Sequence, residues 1–202
     1  AEAAAQAIGA NGLFCKVAAI FHDIGKLSNP NYFTENQQRG VNIHQLLTPA
    51  ESAQVIISHV KAGEVIARKY RLPQSIIQTI REHHGTTLVF YFYSKELELK
   101  GGDPAKVDEK LFRYPGPKPH SKEAAILMIA DAVEAASRSM DTVDEHFLIN
   151  MVDRIVKDRT EDGQFDECCL TFEELGIVKR CMVRTLIVTR HVRIKYPEKP
   201  SS

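Results

Sequence analysis

With 202 residues, 44% hydrophobic and 26% charged, the chain holds enough apolar material for one full core and is neither disordered nor fibrous. Lys plus Arg and Asp plus Glu each number 26, so no net field draws it to a nucleic acid polymer or an anionic membrane, although local charges can still hold a small anion. The four cysteines (Cys15, Cys168, Cys169, Cys181) form no CxxC pair, which argues against a disulfide framework and for a reducing cytoplasmic setting; no apolar run reaches the roughly 18 residues of a membrane span.

The chain opens on Ala1-Glu2-Ala3-Ala4-Ala5-Gln6-Ala7-Ile8, which reads as the middle of a helix with neither cap nor initiating Met. An N-terminally truncated piece of a longer protein is the expectation. Helix is predicted over 1–9 and again over 12–24, where Phe14, Val17, Ala18 and Phe21 share a face that His22 continues. Gly25 suits the left-handed position past that helix end. Residues 27–47 lack periodicity and predict a long loop carrying Tyr32, Phe33, Asn36, Gln37 and His44. Such a loop is either a surface connection with an aromatic anchor or one that touches substrate.

Thr48-Pro49-Ala50-Glu51 is a capping box that opens a helix to about Tyr70, with His59 on the face of Val55, Ile56, Ala62 and Ile66. Gly63, one turn on, would admit close approach of another backbone. Pro73 opens a short helix to His84, whose Ile76, Ile77 and Ile80 line up with His83 and His84; Gly85 stops it. Residues 86–99 read as helix, with strand as the alternative for their aromatic run. Residues 112–120 are too rich in proline for a helix. Ser121 caps the next helix, apolar from Ala124 to Ala136 except for Asp131 and Glu134. Capping boxes at Thr142–Glu145 and Thr171–Glu174 open helices over about 143–159 and 172–193, and the acidic turn 161–167 between them reads as a solvated loop.

One histidine on an apolar face is more often a satisfied core residue than a ligand. Here His22, His59, His83 and His84 all lie on such faces, joined by Asp23 and Asp131, and each needs a buried partner. One shared metal site accounts for all six together. Imidazole and carboxylate without thiolate suit Mn, Fe, Zn or Ni rather than a structural zinc centre. Asp23 can present two oxygens and so bridge two metals, between which a water or hydroxide would attack phosphorus. Lys26, one turn past Asp23, can meet a substrate phosphate or be an ordinary exposed lysine.

His22-Asp23, His59, His83-His84 and Asp131 resemble the ordered motif of the HD-domain metal-dependent phosphohydrolases. Further stretches are similar to the cytoplasmic HD domain of the seven-transmembrane HD (PgpH-type) cyclic di-AMP phosphodiesterases of bacteria. They are His22-Asp-Ile-Gly-Lys26, Glu35-Asn-Gln37, Ile57-Ser-His-Val-Lys61, His83-His-Gly-Thr-Thr87, Phe112-Arg-Tyr-Pro-Gly-Pro-Lys-Pro119 and Val133-Glu-Ala-Ala-Ser-Arg-Ser139. Arg113-Tyr114-Pro115-Gly116 departs from the Gly-Tyr-Pro signature of the related cyclic di-GMP enzymes.

The resemblance implies an all-α helical bundle with a metal site at its centre: one HD phosphohydrolase domain over 1–202. Its metal-binding helices would span about 12–140 and its C-terminal helices about 143–193. It implies two divalent metals, Mn or Fe. One would be held by Asp23, His59, His83 and His84; the other by His22, Asp23, Asp131 and one more histidine from a preceding helix. Residues 1–20 contain no histidine, which leaves the second site incomplete. Asp23 and Lys26 are the expected catalytic residues, and Lys26, Tyr32, Asn36, Gln37 and Arg138 the expected substrate contacts. Arg138 and Glu134 serve equally well as a structural ion pair. The implied reaction opens cyclic di-AMP to linear 5′-phosphoadenylyl-adenosine, in the cytoplasmic part of a bacterial inner-membrane protein. Its rivals are an HD enzyme acting on ppGpp or a dNTP, and a nucleotide-binding sensor with little hydrolysis. Whether the domain pairs as a homodimer is left open, and His44, His120, His146 and His191 receive no role.

Overall fold

A computed structural model describes residues 1–33, 43–138 and 144–191. Eight α-helices are present among them and no strand. They are α1 (Glu2–Ala7), α2 (Gly12–Phe21), α3 (Pro49–Lys69), α4 (Gln74–Glu82), α5 (Phe90–Leu99), α6 (Lys122–Arg138), α7 (Glu145–Glu161) and α8 (Phe172–His191). The all-α expectation therefore holds, and the aromatic run after residue 86 resolves in favour of helix from Phe90. No described helix is long and apolar enough to cross a membrane.

α6 is the axis of the bundle. Ala124 through Ile129 are all buried, because the helix is covered on two sides. On one side Ala125, Ile126, Met128 and Ile129 share a core with α1, α7 and α8, through Ala4, Ala5, Leu148, Val152, Leu175 and Val178. On the other, Leu127 packs with Ala18 of α2, Ala67 of α3 and Ile76, Ile77 and Ile80 of α4. A helix enclosed on both flanks needs no polar stripe in its interior.

The caps mark where the sequence breaks the bundle into rods. Thr48 and Glu51 form the expected capping box, with Glu51 N–H donating to Thr48 Oγ1 at 3.2 Å and Thr48 N–H to Glu51 Oε2 at 2.8 Å. Thr171 and Glu174 repeat it for α8. For α7 the expected box on Thr142 lies outside the described residues; Asp144 caps the helix by accepting from His146 N–H.

Three expectations need correction. The second helix stops at Phe21, and Asp23 is followed by a 3₁₀ turn over Ile24–Ser28. Gly25 is not left-handed. It is small because the 3₁₀ turn is pressed onto α3: a Cβ there would lie 1.8 Å from the His59 carbonyl oxygen and 2.4 Å from the Gly63 nitrogen. Gly63 faces it, as its own expectation held. Gly85 does take positive φ, at +54°. The acidic turn after α7 is not simply solvated, since Gln164 is fully buried. Its Oε1 accepts from Thr86 N–H, and its Nε2 donates to Thr86 Oγ1 and Asp162 Oδ2.

All four cysteines are free. Cys15 is wholly enclosed, and burial, helped by Glu123, pushes its thiol up to about 11. A thiol reagent at pH 8 should therefore label exposed Cys169 first and leave Cys15 unlabelled until the protein is unfolded. Rapid modification of Cys15 in the native protein, mapped by peptide mass analysis, would contradict this packing.

Candidate metal centre

The six ligand candidates come from four places in the chain, and the packing just described gathers them. His22 and Asp23 follow α2; His59 sits mid-way along α3 at the Gly25–Gly63 contact; His83 and His84 follow α4; Asp131 projects from the middle of α6. Asp23, His59, His83 and His84 bring one donor atom each within 4.8 Å of one another, and His22, Asp23 and Asp131 do the same. Asp23 belongs to both groups. Its Oδ1 lies 3.3 Å from His59 Nε2 and 3.7 Å from His83 Nε2, while its Oδ2 lies 3.2 Å from His22 Nε2. Asp131 completes the second group with Oδ1 at 3.5 Å from His22 Nε2, and its Oδ2 is 4.0 Å from His84 Nδ1. Among the described residues this second group has three members.

Three imidazoles are held the same way. Nδ1 of His22, His59 and His83 lies 2.8, 2.6 and 2.7 Å from the carbonyl oxygen three residues back, of Ala19, Ile56 and Ile80. A carbonyl only accepts, so each Nδ1 carries the proton and each Nε2 presents a lone pair. The Nε2 atoms of His59 and His83 then face each other at 3.1 Å with no proton between them. Nε2 of His22 and Oδ1 of Asp23 are buried without a properly directed hydrogen bond, despite the short distances around them. Lone pairs converging on one point with nothing to satisfy them are what a cation would resolve. The donor set fits a metal.

The electrostatics agree. Burial alone would lower His22, but Asp131 and Asp23 outweigh it and lift the imidazole to about 10, so the two carboxylates demand positive charge at that nitrogen. Burial would raise Asp23, yet the imidazoles of His22, His59 and His83 packed against its oxygens hold it far below the usual carboxylate range; His22 lowers Asp131 in the same way. His83 and His84 are depressed, first by burial and then by the neighbouring imidazoles, and stay neutral with their lone pairs available.

Lys26 lies at the rim with Nζ 2.7 Å from Asp23 Oδ2 and 5.2 Å from the centre of the Phe33 ring. Tyr32 is turned to His44, whose Nε2 is 2.8 Å from its carbonyl oxygen. Arg138 pairs with Glu134 on the surface of α6, Nε to Oε1 2.8 Å. Asn36 and Gln37 lie outside the described residues. Two residues to which the sequence assigned no place in the site wall the cluster. Tyr114 stacks on His84 with ring centres 4.2 Å apart at 23°, and Phe33 meets His59 edge-on at 5.8 Å. The signal for Tyr114 was the proline-rich run itself: Tyr114 N–H donates to the Thr87 carbonyl, pinning an extended strip beside His84.

A model of the HD domain family matches residues 1–136. The cyclic-di-AMP phosphodiesterase PgpH of Bacillus subtilis is 46% identical over 197 residues, and that of Listeria monocytogenes 46% over 198. Each match covers 98% of this chain but 27% of the relative, so the chain spans about a quarter of their length. Among solved structures, the HD domain of L. monocytogenes PgpH aligns with a TM-score of 0.87 at 45% identity, covering 94% of this chain and 88% of that one. The same domain in complex with cyclic-di-AMP aligns at 0.88, also 45% identical, covering 93% and 86%.

Proposed function

We propose that this chain, which belongs to the HD-domain family, is a metal-dependent phosphodiesterase that opens cyclic di-AMP to linear 5′-phosphoadenylyl-adenosine. The observation that carries the reading is the divided carboxylate of Asp23, one oxygen toward His59 and His83 and the other toward His22. Asp23, His59, His83 and His84 would hold one ion and His22, Asp23 and Asp131 the other. Imidazole with carboxylate suits Mn, Fe, Zn or Ni, and the HD family points to Mn or Fe within that set. Such a pair, when bound, supplies Lewis-acid polarisation of a phosphoryl oxygen and an activated water at neutral pH.

The protein's own groups do the rest. Backbone carbonyls fix which nitrogen each of three histidines offers, so no side-chain reorientation precedes binding. Lys26 brings a positive charge to the same rim, where it can turn from Asp23 to a phosphate oxygen. Tyr114 and Phe33 close the apolar wall, which strengthens every charge interaction inside. Tyr32, Asn36, Gln37 and Arg138 remain candidate contacts for the nucleotide. The relatives' names support cyclic di-AMP as substrate, and their greater length supports a place for this domain in a larger protein, which we read as a bacterial membrane protein with this domain on its cytoplasmic side.

Elemental analysis of protein purified without chelator, followed by assay with cyclic di-AMP, cyclic di-GMP, ppGpp and dATP under added Mn²⁺, tests the reading. Two ions per chain with cleavage of cyclic di-AMP is the expected result. Cleavage of ppGpp or dATP alone would overturn the substrate. The three-membered second group favours one rival, a binding module, which would show a single ion and nucleotide binding without turnover. Protein that takes up no metal would return the histidines to the core.

A further inference from the structure

Arg159 stands in the last turn of α7, and among the described residues no anion pairs with its side chain. Its carbonyl oxygen accepts from Gln164 N–H at 2.9 Å. The Gln164 side chain grips Thr86, two residues past His84, through 2.9 Å bonds to its N–H and Oγ1. Gly85 packs under the same amide, where a Cβ would lie 2.3 Å from Gln164 Oε1. The end of α7 is thus fastened to the strip that carries His84. Each acid near Arg159 on its own element is engaged elsewhere. Asp162 takes the fork of Arg113, Nη1 to Oδ2 and Nη2 to Oδ1 both 3.1 Å, and Asp158 faces Arg154 at 3.9 Å.

Among the described residues no hydrogen bond or ion pair forms on the Arg159 guanidinium, and its Nε is shut off from water without a partner. Burial is the largest influence on it, followed by the fields of Asp162, Asp158, Asp131 and Tyr114. The last two tie it to the metal centre, since Asp131 belongs to the cluster and Tyr114 stacks on His84. A half-buried guanidinium with an orphaned donor is a costly arrangement to keep for structure alone. Its planar fork suits the oxygens of a phosphate.

We propose that Arg159 receives a non-bridging phosphoryl oxygen of the substrate at the His84 edge of the metal centre. The assignment rests on the phosphodiesterase reading and deepens it. A cyclic dinucleotide carries two phosphodiesters, and while one lies over the donor cluster the other needs a cation beside it.

The test uses Arg159→Gln and Arg159→Lys in the Mn-loaded protein. For Arg159→Gln the KM for cyclic di-AMP should rise about 10- to 100-fold, the loss expected for one charge-assisted hydrogen bond, with kcat little changed. Metal content should stay at the wild-type value, Arg159→Lys should recover part of the loss, and the melting temperature should hold or rise, because a half-buried charge with no counter-ion among the described residues has been removed. In parallel, inorganic phosphate binding by calorimetry should weaken in Arg159→Gln. Unchanged KM and unchanged phosphate affinity would overturn the assignment, as would a fall in melting temperature with both constants intact. If the wild type cleaves no cyclic di-AMP, the substrate reading fails on its own. The phosphate titration still decides Arg159: equal affinity in wild type and variant, or no phosphate binding by either, removes it.

Discussion

Asp23→Ala should abolish hydrolysis of cyclic di-AMP and strip both ions from the protein. The loss should be on the order of 10³-fold or more, well beyond the roughly 10- to 100-fold typical of an outer partner of a metal ligand. The reason lies in the division of labour between its oxygens. Oδ1 serves the His59 and His83 side and Oδ2 the His22 side, so one truncation removes a donor from each group at once. It also leaves His59 and His83 with lone pairs opposed at 3.1 Å and no carboxylate between them and His22. Asp131→Ala offers the contrast, because it touches only the second group. Elemental analysis and turnover of the two variants should therefore separate: Asp131→Ala keeps one ion and Asp23→Ala none. An Asp23→Ala protein that retained both ions and full turnover would sink the shared-ligand mechanism.

Gly25→Ala should damage the fold and the site together. The added carbon would sit 1.8 Å from the His59 carbonyl oxygen and 2.8 Å from its carbonyl carbon, and both are backbone, which cannot swing aside. The 3₁₀ turn would have to lift off α3. Overpacking of this kind costs about 3 kcal/mol or more. For a chain of this length that is a fall of roughly 6–12 °C in melting temperature. The lift would also draw Asp23 away from His59, so metal affinity should drop even at temperatures where the variant is folded. Calorimetric melting and a metal titration on the same sample check both halves. A variant with wild-type melting and affinity would show that the turn is not clamped between Gly25 and Gly63.

Much of the site was legible in the chain because polar ligands on apolar faces violate the ordinary pattern. His59 stands out among Val55, Ile56 and Ile66, and Asp131 among Ile129, Ala130 and Val133, without any neighbour in sequence to explain them. The same periodicity gave the rods of the bundle, with the boundaries set by caps that are local by nature, such as Thr48 with Glu51. What escaped was non-local. Gly25 followed an apparent helix end, which reads as a turn, whereas its role is set by a carbonyl 34 positions away across the bundle. Tyr114 and Phe33 meet His84 and His59 from segments with no periodicity at all. Gln164 and Asp162 sat in a run of acids that composition marks as solvent-facing. Their partners, Thr86 and Arg113, are 78 and 49 positions distant.

The bond between Gln164 and Thr86 also bears on what can be transplanted. The family match ends at residue 136, yet the wall beside His84 is fastened by groups beyond it, and α7 and α8 supply one flank of the core around α6. A fragment trimmed to the matched region would keep every candidate ligand. It would also bare Ala125, Ile126 and Ile129 to water, an adhesive surface prone to aggregation. Anyone grafting this chemistry onto another scaffold would have to carry the last two helices as ballast, or repaint the flank of α6 that they conceal.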